Sequence, residues 1–559
     1  MASSNTTPWS DEELKTKVGQ LFIVGFHGHV ASDNIKTLIT THKVGAVILF
    51  LRNIGSATQL LNLTNSLQET AKKAGHKQGL FIAIDQENGL ITRVTSPVAA
   101  QLPGSMALGA TGDANNAYRV ASATAEMLKS FGINTNYAPV ADVNSEPRNP
   151  VIGVRSPSDN PETVGRFVSA QIKGIAEGGV IACVKHFPGH GDTAVDSHYG
   201  LPVIAKSKAQ LDACELIPFR RAVAENVESV MTAHIAMPGI GDPNLDDDDP
   251  SKKVPASLNP EAIGILRNEM EYNGMVVSDC LEMDGVRAIF GTEKSAVMAL
   301  KAGTDCVMIC HTFTAQVGAI EQVISAVKSG ELSQEAIQAS VKRVEALKSK
   351  YVSSDTIPLS SLEDSEARNA KQAALASEVY ARSTTVVRSV AGSLPISTVS
   401  TKNIVFISPG KAPPGGGAVE SGEEMTRDLF APATYLEILR AHDPNIVDVR
   451  LHDGIPLSAK EEKEVEEADV VIFATRNASF SSYQRNYGFT LGGKLGDKLI
   501  VIATCDPYDF LHYVKEIKNY ITIYEPTAPA FKSAADIIFG RTKGVGSLPV
   551  GKPHIQLEI

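Results

Sequence analysis

Short apolar runs rich in β-branched residues recur through the first 310 residues, and they constrain the fold more than any other feature. They are QLFIVGF (20–26), GAVILF (45–50), LFIAID (80–85), TNYAPVADV (135–143), VIACVKHF (180–187), SVMTAHI (229–235), GMVVSDC (274–280) and CVMIC (306–310). Their hydrophobicity is continuous rather than alternating, the pattern of strands buried on both faces, as in a parallel sheet. Segments of helical period lie between them. One opens at Ser10 with Glu13 three residues on, a capping-box spacing. Another starts at Pro161, puts Val164, Val168, Ile172 and Ile175 on one face, and stops at Gly178–Gly179. Strands alternating with helices in this number predict an α/β chain with an N-terminal (β/α)8 barrel. A doubly wound open sheet is the alternative, and the strand count favours the barrel.

At 559 residues the chain is too long for one ordinary core. The character changes near Pro358, where SLEDSEARNAKQAALASEVYARSTTVV reads as a polar-faced connecting helix. A second βα series follows: NIVFIS (403–408), NIVDVRL (445–451), DVVIFAT (469–475), KLIVIAT (498–504) and NYITIYE (519–525). The expected organisation is a barrel over 1–352, a helical linker over 353–395 and a smaller α/β domain over 396–559. Two loops, 241–253 and 412–424, read as solvated excursions. The second is rich in glycine but lacks the GK[ST] ending of a phosphate-binding loop.

Composition excludes several classes. A formal net charge of −11 is not that of a nucleic-acid binder with a basic face. No uncharged apolar run approaches the ~18–20 residues of a membrane helix, and the N-terminus shows no secretory pattern. The six cysteines lack CxxC spacing and read as buried and reduced. A cytoplasmic protein without membrane or nucleic-acid partners is expected, and nothing in the sequence implies its oligomeric state.

In a barrel, chemistry gathers where strands end at their C-terminal side. Those ends carry Asp85-Gln86-Glu87, then Asp142 with Arg148 and Arg155 in the following loop, Lys185-His186, His234 and Ser278-Asp279. Five consecutive strands thus deliver ionisable groups to one rim. Asp142 reads equally as a loop brace, Glu87 with Arg93 as a supporting ion pair, and His234 as a satisfied core histidine. Asp279, a carboxylate closing the apolar run VVSDC, is costly to bury without a purpose.

The stretch KHFPGHGDTAVDSHYG (185–200) is the densest of these segments. Its histidines lack metal-ligand spacing, because Pro188, Gly189 and Gly191 forbid a helix between them, and no phosphate-loop pattern is present. Asp196-Ser197-His198 sets a carboxylate beside an imidazole, which fits acid–base work near neutral pH. No metal and no cofactor is expected.

KHFPGHGDTAVDSH, together with VVSDCLEMDGV, DQENGLITR and VIGVRS, resembles glycoside hydrolase family 3, in particular its β-N-acetylglucosaminidase branch. The similarity runs through the whole chain and implies a barrel followed by an α/β sandwich. It also implies a retaining exo-acting enzyme that releases terminal GlcNAc from chitin- or peptidoglycan-derived saccharides. Asp279 would be the nucleophile, His198 paired with Asp196 the acid/base, and Asp85, Arg93, Arg155, Lys185 and His186 the sugar-binding groups. Asn88 stands where the family usually has glycine, and Cys280 where many relatives carry a second aspartate. A β-N-acetylglucosaminide phosphorylase, or an enzyme also accepting β-glucosides, is the nearest alternative. A non-catalytic sugar-binding protein fits less well.

Overall fold

The computed structural model describes residues 9–193, 200–240, 253–353, 355–397, 401, 403–410 and 429–551. Eight parallel strands close into a barrel in sequence order: β1 (Phe22–Val24), β2 (Ala46–Leu49), β3 (Phe81–Ile84), β4 (Thr135–Asn136), β5 (Ile181–Phe187), β6 (Ser229–Thr232), β7 (Met275–Cys280) and β8 (Cys306–Ile309). Every residue of β1 to β6 and of β8 is buried, as continuous apolar runs require. The strand expected over 135–143 is only two residues long, because Pro139 has no N–H to give the ladder. The chain still runs beside β5 there: the Lys185 N–H donates to the Pro139 carbonyl at 3.1 Å and the Ala141 N–H to the Lys185 carbonyl at 2.6 Å.

The helical expectations hold at their ends. Ser10 and Glu13 form a reciprocal capping box on helix Asp11–Gly19. Helix Pro161–Glu177 is capped by the Asn160 side chain and buries Val164, Val168, Ile172 and Ile175.

The second sheet has the order β11-β10-β12-β13-β14-β9. Its strands are β9 (Thr385–Arg388), β10 (Ile404–Pro409), β11 (Val447–Leu451), β12 (Val470–Thr475), β13 (Leu499–Ala503) and β14 (Asn519–Thr522). Five are parallel, and β9 joins β14 antiparallel at the edge. Residues 385–388 therefore depart from the expected helical linker. The helix Ser365–Ser383 stops just before them, and TVVR is a β-branched run that completes the sheet. The 412–424 loop, and the 241–253 loop apart from Lys253, fall outside the described residues.

The barrel's outer helices and the second sheet share an apolar cluster. Leu102, Leu108, Val120 and Phe167 from the barrel side pack with Ile404, Phe406, Ile521 and Phe531 of the second sheet and its last helix. At the centre of this junction the buried Glu525 carboxylate accepts the Gly104 N–H at 2.7 Å and the Tyr380 hydroxyl at 2.6 Å. A Cβ on Gly89 would lie 2.6 Å from the Gly104 Cα and 2.9 Å from Glu525 Oε2, so the loop after β3 fits only with glycine there.

Glu525→Ala leaves the Gly104 N–H and the Tyr380 hydroxyl buried without an acceptor. The expected loss of unfolding free energy is on the order of 2–4 kcal/mol, read from denaturant melts. An unchanged midpoint contradicts this role.

Candidate active site

The C-terminal ends of the barrel strands surround a cleft that, with the open solvent at its mouth, holds about 740 Å³ of space. Asp85, Glu87, Arg93, Arg155, Lys185, His186 and Asp279 all line it. Met231, Met283 and Met308 supply apolar wall. Every lining residue comes from the barrel half of the chain; among the described residues, none comes from the second sheet.

The charged groups form one connected chain. Lys185, the fifth residue of β5, donates from Nζ to Asp85 Oδ1 at 2.6 Å and lies 2.8 Å from Glu87 Oε1. Arg155, in the loop after β4, grips Glu87 bidentately, with Nε and Nη2 each 2.8 Å from a carboxylate oxygen. Its Nη2 is also 3.3 Å from His186 Nε2. His186 Nδ1 lies 2.7 Å from Asp142 Oδ2, and the other Asp142 oxygen accepts the His186 and His190 backbone N–H groups. The ends of β3 and β5 and the loop after β4 are thereby tied together through two buried carboxylates.

Burial alone would raise the Glu87 carboxyl, but Arg155 and Lys185 outweigh it and hold it well below the usual carboxylate range. Asp142 is likewise lowered, with burial opposed by His186 and His190. Burial pushes His190 down to about 4, helped by neighbouring His186, so its ring is neutral near pH 7. Burial would also lower Lys185, yet Asp85 and Glu87 raise it, so it stays cationic. A depressed carboxylate contributes stability that is present above its unfolded pKa and lost only as pH falls through the lower folded one. The Glu87 pairs therefore persist through mildly acidic conditions.

Several sequence expectations are refined by this geometry. Glu87 pairs with Arg155 and Lys185 rather than with Arg93, whose buried Nε and Nη1 find no hydrogen-bond acceptor among the described residues. Asp142 is a brace beneath the histidines, not a lining residue. His234 is a satisfied core histidine: Nδ1 lies 2.7 Å from Ser257 Oγ and Nε2 2.9 Å from the Cys280 carbonyl. Arg148 turns away and pairs with Glu146. Asn88 adopts φ 69°, a left-handed conformation that asparagine tolerates, which accounts for its standing in for glycine. Asp279 is half-buried at the end of β7, with one carboxylate oxygen accepting the Cys280 N–H at 2.7 Å. Asp196 and His198 lie outside the described residues. The preceding loop is packed so closely that a Cβ on Gly191 would sit 1.6 Å from the Val143 carbonyl oxygen.

The sequence reading missed Phe50 and His311, both on the cavity wall. Phe50 closes the run GAVILF after β2 and His311 directly follows CVMIC after β8, so extending the strand-end rule to all eight strands would have found them.

The comparisons with known proteins agree with this architecture. The family model described as "Glycosyl hydrolase family 3 N terminal domain" matches residues 13–347. Beta-hexosaminidase A of Pseudoalteromonas piscicida is 30% identical over 93% of this chain and 91% of its own length. A glycoside hydrolase family 3 β-N-acetylglucosaminidase from a Paenibacillus species superposes with TM-score 0.84 at 34% identity, covering 96% of this chain and 98% of that one. A fungal multi-domain family 3 β-N-acetylglucosaminidase gives TM-score 0.87 at 37% identity, covering 97% of this chain and 61% of that longer chain. A closed barrel with an ionised strand-end cavity, a second sheet packed on its flank and these matches along nearly the whole length make the chain a glycoside hydrolase belonging to glycoside hydrolase family 3.

Proposed function

We propose that the chain is a retaining β-N-acetylglucosaminidase that releases terminal non-reducing GlcNAc from chitin- or peptidoglycan-derived saccharides. The observation that carries this reading is the placement of Asp279. A half-buried carboxylate on a rigid strand end shares one cavity with a fixed array of cations and carboxylates suited to sugar hydroxyls. The names of the relatives supply the GlcNAc preference.

In the first step Asp279 forms a bond to the anomeric carbon as the glycosidic C–O bond breaks, and His198, oriented by Asp196, gives its proton to the leaving oxygen. In the second, His198 takes a proton from water, the water oxygen bonds to the anomeric carbon, and the Asp279 ester bond opens. Asp85 and Lys185 present an acceptor and donors to the ring hydroxyls, with Arg93 and His186 along the same wall. Arg155 and Lys185 keep their positions through Glu87, which makes Glu87 a positioning residue.

The domains proposed on this reading are a catalytic barrel and an α/β sandwich that buttresses it. No helix among the described residues is long and apolar enough to cross a membrane.

Aryl β-GlcNAc should be the fastest member of a panel with aryl β-glucoside, chitobiose and GlcNAc–anhydro-muramic acid, giving free GlcNAc with or without phosphate. Accumulation of GlcNAc-1-phosphate in phosphate buffer would instead establish a phosphorylase. Asp279→Ala should lose turnover by orders of magnitude while still binding product in calorimetry; undiminished turnover removes the nucleophile assignment. His198→Ala should lose far more activity on poor leaving groups than on activated aryl glycosides, and equal losses count against the acid role. Glu87→Gln takes the carboxylate from buried Arg155 and leaves Lys185 with Asp85 alone, so urea unfolding should show a loss of roughly 3–5 kcal/mol. In the folded fraction KM should rise more than kcat falls, and the reverse split would place Glu87 in the chemistry itself.

A further inference from the structure

Beside Asp279 the cavity wall carries a second cluster that the proposed glycosidase chemistry does not use. Cys280 ends β7, and Cys310 and His311 follow β8. All three line the cavity, and all six cysteines are free thiols. Their ligand atoms, two sulfurs and one imidazole nitrogen, lie within 4.8 Å of one another. Among the described residues this is the single group of three or more histidine, cysteine or carboxylate side chains that converges in this way. The loop at 185–193, where histidine density drew attention in the sequence, does not.

We propose that Cys280, Cys310 and His311 form a binding site for a thiophilic divalent cation of the zinc type. Two thiolates and an imidazole are the donor set that borderline-soft cations select over magnesium or calcium. A tetrahedral zinc ion holds sulfur and nitrogen ligands roughly 3.5–4 Å apart. The separations here are all within 4.8 Å, so the cluster needs to contract by at most about 1 Å to reach that spacing. As the cation binds, each thiol releases its proton to the buffer and its sulfur supplies the electron pair. Three protein ligands leave the fourth position to water or a small anion from the cavity.

The backbone that carries these ligands is pinned on both sides. The Glu282 carboxylate accepts the N–H groups of Cys310, His311 and Thr312 at 2.8, 2.6 and 3.0 Å. Arg52 Nη2 donates to the Cys310 carbonyl at 2.9 Å, and His234 holds the Cys280 carbonyl. The register between β7 and β8 shifts between Val277 and Cys280, so that Cys280 pairs with Met308 and comes level with the end of β8. Such irregularities re-aim side chains at strand ends.

The site shares its cavity with Asp279, so its test reads metal rather than turnover. The full chain, stripped with chelator and kept under a phosphine reductant, is titrated with CoCl2 and then with ZnCl2. The expected result is one Co2+ per chain with a thiolate-to-cobalt charge-transfer absorption, displaced by one equivalent of Zn2+. Cys310→Ser and His311→Ala should each weaken zinc affinity by at least the roughly 10- to 100-fold that even loss of an outer-shell partner costs. Cys505→Ser, in the second sheet's half of the chain, should bind as before. Absence of the charge-transfer band in the unsubstituted chain overturns the proposal whatever the variants do. So does a band that survives both substitutions in folded protein.

Discussion

The Glu87 carboxylate, buried between Lys185 and Arg155, is the interaction on which the site depends. A carboxylate with 4% side-chain exposure is affordable only because two cations bind it, one of them bidentately. Each cation in turn makes a second contact: Lys185 with Asp85, and Arg155 with His186. His186 is held from behind by Asp142, whose other oxygen also gathers the start of the loop leading to Asp196 and His198. One buried anion therefore fixes the donors and acceptors of three barrel segments without spending the groups that face substrate.

The second half of the chain acts on this site from a distance. Its side chains do not reach the cavity wall among the described residues, yet Glu525 meets the loop after β3 at Gly104 and at Gly89, the latter two residues from Glu87. The shared apolar cluster behind that contact spreads the load over the barrel helices 105–110, 114–130 and 161–177. Further ties run the same way, including the Ser158 hydroxyl to the Pro549 carbonyl at 2.6 Å and the Gly551 N–H to Asp159 at 2.9 Å. A loop that must hold a carboxylate against two cations gains rigidity from a flank that packs on it.

Much of this was legible in the sequence because the signals are local. Strands buried on both faces announce themselves as unbroken apolar runs, and the residue that ends such a run points into the rim; Asp85, Lys185, His186 and Asp279 were found in this way. Pairing is not local. Glu87 and Arg155 are 68 residues apart, and no periodicity reveals that Arg155, rather than nearby Arg93, would take the carboxylate. The truncation of β4 depended on Pro139, visible in the sequence but outweighed there by the length of the apolar run. Thr385–Arg388 was hidden by its helical neighbour, since four residues are too few to declare a strand against a preceding long helix. The Asn88 substitution made sense only once its left-handed backbone was seen.

On the proposed mechanism, sugar transfer passes through a covalent bond to Asp279. The most direct test is to trap that species with a fluorinated GlcNAc glycoside, whose slowed second step lets the intermediate accumulate, and to map the labelled peptide by mass spectrometry. The expected result is one sugar per chain, attached to the peptide carrying Asp279, and release of the sugar on prolonged incubation. A label on any other residue, or a first product of inverted anomeric configuration with no label at all, would contradict it.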